Sequence, residues 1–336
     1  MKCAWVENMM SIETDGWSRP CCLETSEDAR ISPIQDGILN AFNHQRLLDL
    51  RDNLKNGYSE KTRHACHRCE QLESQGHASM RTETKFESPV RELKVLQFKM
   101  SNKCQLTCAH CGPDRSSGWA KLLNISPHVI NAFEVTDKFL DELVEILPNL
   151  EVLKFSGGEP FLDPNHWKIL EHLQSYDTSH CELQYITNGI SPFKSELWKK
   201  WKRVNCSVSV DGYKDSYEWF RRGSSWDRVV QGVYDLKKVS DVHINYAITP
   251  YTFHDYNNAK EFWKEPIHGF PVVYPSYMSM LGFPSRIVSL IDNWTDIPYA
   301  DSAKGSSALT YKMWAKSWDK QWNTPGWAEK LFHWVN

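Results

Sequence analysis

From about residue 90 onward, the apolar residues of this chain fall into two alternating kinds of segment. Short runs rich in Val, Ile, Leu and aromatics occur at ELKVLQFKM (92–100), LEVLKFS (150–156), CELQYIT (181–187), VNCSVSV (204–210), VHINYAI (242–248) and FPVVYP (270–275). Their length, and the Gly, Pro or Asn that closes several of them, predict β-strands. Between them the spacing changes. VTDKFLDELVEIL repeats apolar residues at Phe139, Leu140, Leu143, Val144 and Leu147, and WDRVVQGVYDLKK does so at Trp226, Val229, Val230, Val233 and Leu236. That i, i+3, i+4 stripe is the buried face of a helix. Strand–helix repetition predicts an α/β fold with a parallel sheet and right-handed crossovers. Six units suit a partial (β/α)6 barrel, curved and partly open. Ligands on parallel sheets sit beyond the carboxyl ends of the strands.

The segments on either side are patterned differently. Residues 1–89 predict a small α+β, cysteine-rich domain. WVENMMSIETDGWSRPCCL carries a hairpin signal at Asp15-Gly16, and DGILNAFNHQRLLDLRDNLKNG predicts a helix stopped at Gly57. Residues 90–283 hold the barrel. Residues 284–336 form a Trp-rich tail with a helix near SALTYKMWAKSWDKQW.

Composition narrows the chemistry. Of 336 residues 41% are hydrophobic, enough for a packed core, and the formal net charge is −3. A charge this small offers no concentrated basic surface, so nucleic acid is not an expected partner. No apolar run approaches the ~20 residues needed to cross a bilayer, and the first residues lack a secretory apolar region. The expectation is a cytoplasmic protein with no membrane partner.

Ten cysteines in a reducing compartment point to metal more than to disulfides. Seven fall into two sets. Cys104, Cys108 and Cys111 form C-x3-C-x2-C directly after the first predicted strand; Cys3, Cys21, Cys66 and Cys69 are spread over the first 69 residues. Cys181 and Cys206 lie in predicted strands, where a thiol behaves as a small buried hydrophobe. Three thiolates on one tight loop hold three irons of a [4Fe–4S] cube and leave the fourth open. A zinc site completed by His110 is the competing reading.

C-x3-C-x2-C, with His110 just before its last cysteine, resembles the signature loop of the radical S-adenosylmethionine enzymes. The resemblance implies that the open iron takes S-adenosylmethionine. Its reductive cleavage to a 5′-deoxyadenosyl radical then abstracts a hydrogen from substrate. Further segments match the family in order. FSGGEPFL after the second strand is similar to its GGEP segment, implicating Gly157, Gly158 and Glu159; the glycines would let backbone approach the ligand and Glu159 would pair with an ammonium. ITNG ends the third strand and implicates Asn188. SVDGYKDSYEWFRRGSSW implicates Ser209 and Arg221 in holding the cosubstrate's ribose and carboxylate, with Arg222 the alternative to Arg221. The matches span roughly residues 92–250. A reductant protein such as flavodoxin or ferredoxin is the implied partner. No residue is identified as the general acid or base.

Cys3, Gly16 and Cys21, with the later Cys66-His-Arg-Cys69, are similar to the first half of the SPASM pattern and to its shortened twitch form. In the family those domains carry an auxiliary [4Fe–4S] cluster, usually after the barrel and not before it. Spacing alone does not separate zinc from iron–sulfur at this set. Cys22 is expected to stay outside it, because neighbouring strand residues face opposite ways. The expected function is a radical enzyme acting on a peptide or protein. A small-molecule substrate such as a nucleotide or sugar derivative is the alternative, and a non-catalytic iron–sulfur electron carrier a further one. A carrier would have no need of Glu159, Ser209 and Arg221.

Overall fold

The computed structural model describes residues 3–24, 26–74, 76, 78–84, 91–130, 133–264, 266–272, 278, 308–322, 326 and 329. Its centre is one open sheet of eight strands, ordered β2-β1-β3-β4-β5-β6-β7-β8. The strands are β1 (Met9–Ile12), β2 (Ser18–Arg19), β3 (Val95–Lys99), β4 (Val152–Ser156), β5 (Glu182–Thr187), β6 (Arg203–Ser209), β7 (Asp241–Ile248) and β8 (Ile267–Pro271). Among the described strands only β2 runs antiparallel; every other neighbouring pair is parallel.

The six expected strands are β3–β8. The last lies a few residues earlier than its apolar run suggests, and residues 273–275 of that run lie outside the described residues. The strand count differs from the expected six because the hairpin of residues 1–89 does not stand apart. Met9–Ile12 pairs with β3 in parallel, Met10 opposite Leu96 and Ile12 opposite Phe98. Alternation predicts that a strand exists, but it does not say which distant strand will take its free edge. The hairpin turn itself forms at Gly16, at φ +77°, with the Gly16 amide donating to the Glu13 carbonyl.

Side-chain alternation gives the sheet two unlike faces. On β5 and β6, Leu183, Tyr185, Val204, Cys206 and Val208 are buried, while Gln184, Asn205, Ser207 and Ser209 are only half-buried. The apolar face is covered by helices. These include α7 (Asp137–Ile146), α8 (Pro164–Leu173), α10 (Trp226–Lys237) and α11 (Tyr256–Trp263). Phe139, Leu140, Leu143 and Ile146 of α7 are buried, as are Trp226, Val229, Val233 and Leu236 of α10. Each such side chain contributes roughly 1.5–3 kcal/mol. Thr136 and Asp163 cap α7 and α8 by accepting the amides of Phe139 and Asn165, each worth ~1 kcal/mol. Cys181 and Cys206 are fully buried among these apolar groups.

The N-terminal region packs helices α1 (Ala4–Asn8), α2 (Ile38–Phe42), α3 (Gln45–Lys55), α4 (Glu60–Ser74) and α5 (Met80–Glu83). The expected single helix ending at Gly57 is thus two, α2 and α3, broken at Asn43-His44, where His44 caps α3. The C-terminal helix, α12 (Ala308–Trp322), places Trp318 against Trp219 and Tyr251, and its Asp319 accepts the Trp219 indole N–H at 3.2 Å. Because the strands are parallel, the loops after β3, β4, β5 and β6 all emerge at one edge, and every motif of the three-cysteine region lies there.

Candidate functional site

The loop after β3 carries Cys104, Cys108 and Cys111 and is fixed by its own sequence neighbours. The short helix α6 (Ser117–Leu122) folds back on it: the Gly118 amide donates to the Cys104 carbonyl at 3.1 Å, and the Trp119 indole N–H to the Cys108 carbonyl at 2.9 Å. Ser117 Oγ accepts the Cys104 amide at 3.1 Å. All three cysteines are free thiols. Burial, with a smaller push from a neighbouring cysteine of the set, raises Cys104 and Cys111 to about 12. Burial also raises Cys108, there opposed by the Arg221 charge. Among the described residues no group of three or more His, Cys, Asp or Glu converges as a single metal ion requires. Thiolates that ligate different irons of a cluster need not meet at one point. His110 stacks on Phe220, ring centroids 5.1 Å apart.

The SGGEP segment packs backbone against backbone on the cysteine loop. A Cβ on Gly158 would lie 2.3 Å from the Lys103 carbonyl oxygen, and one on Gly157 would lie 3.0 Å from that of Ser101. The Gly158 and Glu159 amides donate to the carbonyls of Ser101 and Lys103, at 2.9 and 2.6 Å. The space left by the missing side chains is filled by the start of the cysteine loop. The two glycines therefore join β4's end to the backbone that bears Cys104.

Glu159 is likewise engaged by protein. Its carboxylate accepts the Asn188 amide at 2.7 Å, the Thr187 hydroxyl at 2.8 Å and the Phe161 amide at 3.2 Å. Burial raises its pKa to about 7 against the pull of these donors. The carboxylate thus ties the loop after β4 to the end of β5. Asn188 donates its side-chain amide to Gln105 Oε1 at 3.3 Å, and Gln105 donates on to Ser191, joining β5's loop to the cysteine loop. Ser209, the last residue of β6, faces the half-buried side of the sheet opposite Asn245.

Arg221 ends α9 (Asp215–Phe220) and points into the site. Its Nε donates to Asp211 Oδ2 at 2.9 Å, its Nη2 donates to the same oxygen, and its Nη1 faces Cys108 Sγ at 4.0 Å. Asp211 Oδ1 accepts the Ala247 amide at 2.6 Å. Arg222 turns away: it donates to the Thr107 carbonyl and hydroxyl and lies over the Trp119 ring. Of the two arginines, Arg221 is the one directed at the cysteines.

The second cysteine set also meets in space. Cys3, Cys21, Cys66 and Cys69 line one cavity together with Arg68 and Arg81. Cys66 and Cys69 stand one turn apart on α4. Cys22 does not line that cavity, and its sulfur lies 3.9 Å from Met80 Sδ. The route to this arrangement differs from a hairpin carrying both cysteines. Cys3 precedes helix α1 and Cys21 follows the end of β2, so neither is on a strand. A five-residue run such as AWVEN is too short for periodicity to distinguish helix from strand.

Asp211, Gln105, Ser117 and Trp119 are site residues the motifs do not announce. Asp211 has φ +47°, and its carboxylate serves Arg221. For α6 a signal was present: Ser116 caps it through the Trp119 amide, and Ser before a helical run is a start signal.

Three cysteines on one loop with a buried cation beside them suit an iron–sulfur cluster, whose core and thiolates together carry negative charge. Over 181 residues the chain is 25% identical to the radical SAM cyclopropyl synthase TigE of Paramaledivibacter caminithermalis, covering 50% of this chain and 38% of that protein. It is 25% identical over 161 residues to the GTP 3′,8-cyclase of Streptomyces coelicolor, covering 46% and 45%. The chain thus spans less than half the length of these relatives. Among solved structures, Streptococcus suis SuiB bound to S-adenosylmethionine aligns with 88% of this chain and 69% of that one, at 14% identity and TM-score 0.39. The Radical SAM superfamily model matches residues 98–262, from within β3 to within α11, so this part of the chain is a radical SAM superfamily domain.

Proposed function

We propose that this protein is a radical SAM enzyme in which Cys104, Cys108 and Cys111 hold a [4Fe–4S] cluster open at one iron to S-adenosylmethionine. The observation that carries this reading is the bonding of the three-cysteine loop to the SGGEP segment at the carboxyl end of the parallel sheet. When bound, the pair supplies reductive cleavage of the sulfonium and a 5′-deoxyadenosyl radical that takes a substrate hydrogen. The chain's own residues hold the site rigid. Gly157 and Gly158 admit the cysteine loop, Glu159 and Asn188 brace the neighbouring strand ends, and Ser209 presents a hydroxyl at β6's end to the cosubstrate's ribose. Arg221 supplies the positive charge on the cosubstrate side.

Cys3, Cys21, Cys66 and Cys69 hold an auxiliary [4Fe–4S] cluster in the cavity they line, in a twitch-like region covering residues 1–89, ahead of the barrel of 90–283 and the tail of 284–336. Four thiolates leave that cluster no open iron, so it lends structure and a redox centre. The setting is the cytoplasm, with a flavodoxin- or ferredoxin-type protein as reductant. Among the described residues no helix is long and apolar enough to cross a membrane.

The substrate is a peptide or protein, a reading that rests on the four-cysteine cavity. A nucleotide substrate is the second reading, favoured by the match to a GTP 3′,8-cyclase. Anaerobic reconstitution tests the enzyme itself. The expected result is about eight irons per chain and dithionite-dependent release of 5′-deoxyadenosine. Replacing Cys104, Cys108 and Cys111 by Ala abolishes release and leaves about half the iron. Release that survives the triple replacement overturns the reading.

A further inference from the structure

The guanidinium of Arg221 is placed with unusual firmness. On either side of Cys108 the cysteine loop is bonded to the end of α9: the Thr107 amide donates to the Arg222 carbonyl at 2.9 Å, and the Ala109 amide to the Phe220 carbonyl at 2.8 Å. Residues 220–222 and 107–109 are thus held in fixed register, with Arg221 opposite Cys108 between the two bonds. Gly223, at φ +95°, then lets the chain pass close over Leu106 and the Gln105 carbonyl. Asp211 is anchored from the other side by the Ala247 amide of β7 and takes two of the three guanidinium nitrogens. The edge left over is Nη1, which faces the Cys108 sulfur. Arg221, Asp211 and Cys108 are 7, 2 and 6% exposed, so water screens these charges little.

This arrangement commits two of the guanidinium nitrogens to Asp211. It suits a charge held against a metal-bound sulfur. Donors and cations beside ligand sulfurs are among the levers by which a protein sets a cluster's potential. We propose that the buried Asp211–Arg221 pair sets the reduction potential of the cluster at Cys104, Cys108 and Cys111, with Arg221 acting on the Cys108 sulfur and Asp211 limiting how much positive charge reaches it. The inference rests on the cluster reading above. Its sign follows from charge alone. Reduction adds an electron to the cluster, so a nearby cation favours the reduced form and raises the potential, and a nearby carboxylate opposes it. Arg221 acts on the sulfur directly, and Asp211 is the positioning residue, holding Arg221 and offsetting its charge.

The test is an EPR-monitored redox titration of the full-length, anaerobically reconstituted protein without S-adenosylmethionine. The signal followed is the one lost when Cys104, Cys108 and Cys111 are replaced together. Arg221→Met is expected to shift its midpoint to more negative potential and Asp211→Asn to more positive, while Arg221→Lys stays nearer wild type than Arg221→Met. Asp211→Asn keeps the shape of the side chain, so it carries the test if Arg221→Met assembles no cluster. Midpoints unchanged in Asp211→Asn and in whichever Arg221 variant assembles, or shifted with the same sign by Arg221→Met and Asp211→Asn, overturn the inference while leaving the cluster reading intact. A protein with no signal dependent on the three cysteines overturns both.

Discussion

Gly158 packs against the Lys103 carbonyl so closely that no side chain fits between them; a Cβ would lie 2.3 Å from that oxygen. The contact makes the loop after β4 a support for the loop after β3. Gly158→Ala must push one of the two backbones away, and overpacking of this kind costs about 1–3 kcal/mol. The expected outcome is a lower midpoint in thermal denaturation and reduced iron incorporation.

Glu159 binds two backbone amides and a hydroxyl on two neighbouring loops. Glu159→Ala leaves the buried amides of Asn188 and Phe161 without this acceptor, at about 1–3 kcal/mol for each such group. Loss of stability in the cofactor-free protein, measured by urea denaturation, is therefore expected. A residue that served only the cosubstrate would leave that measurement unchanged.

The N-terminal cavity predicts unequal roles for adjacent cysteines. Cys21 lines it and Cys22 does not. Cys22→Ser should keep the wild-type iron content, whereas Cys21→Ser should lose part or all of one cluster. The reverse result would reassign the ligand.

His166 gives a pH dependence to stability. It is fully buried, with Nε2 2.9 Å from the Tyr185 hydroxyl, and burial lowers its pKa from 6.5 to about 3. Between those values the unfolded chain takes a proton that the folded one refuses. This contribution is complete above pH 6.5 and is lost as pH falls toward 3, by about 1.4 kcal/mol per unit. Denaturation of wild type and His166→Gln from pH 7 to 4 should show a stability difference that narrows on acidification.

Much of the architecture was legible in the order of residues. The periods of the apolar positions yield the strands β3–β8 and the buried faces of α7 and α10, because alternation and the 3.6-residue repeat follow from local geometry. The spacing of Cys104, Cys108 and Cys111 places three thiols on one loop for the same reason: loop and motif are contiguous. The family resemblance, not residue type, singled out SGGEP, Asn188, Ser209 and Arg221.

What tertiary structure alone decided is which group each of these residues meets. Met9–Ile12 joins β3 because that edge of the sheet was free, a fact held 83 or more residues away. Gly157 and Gly158 serve backbone against backbone, Glu159 closes on Asn188 and Thr187, and Arg221 is taken by Asp211 with one edge left for Cys108. Cys3 and Cys21 reach Cys66 and Cys69 through a short helix and a chain end, not through a shared strand. Sequence specifies donors, acceptors and charges, and local periodicity arranges them along an element. Their pairing across elements is set by packing of the whole chain, where each buried polar group must find a partner among residues far away in sequence.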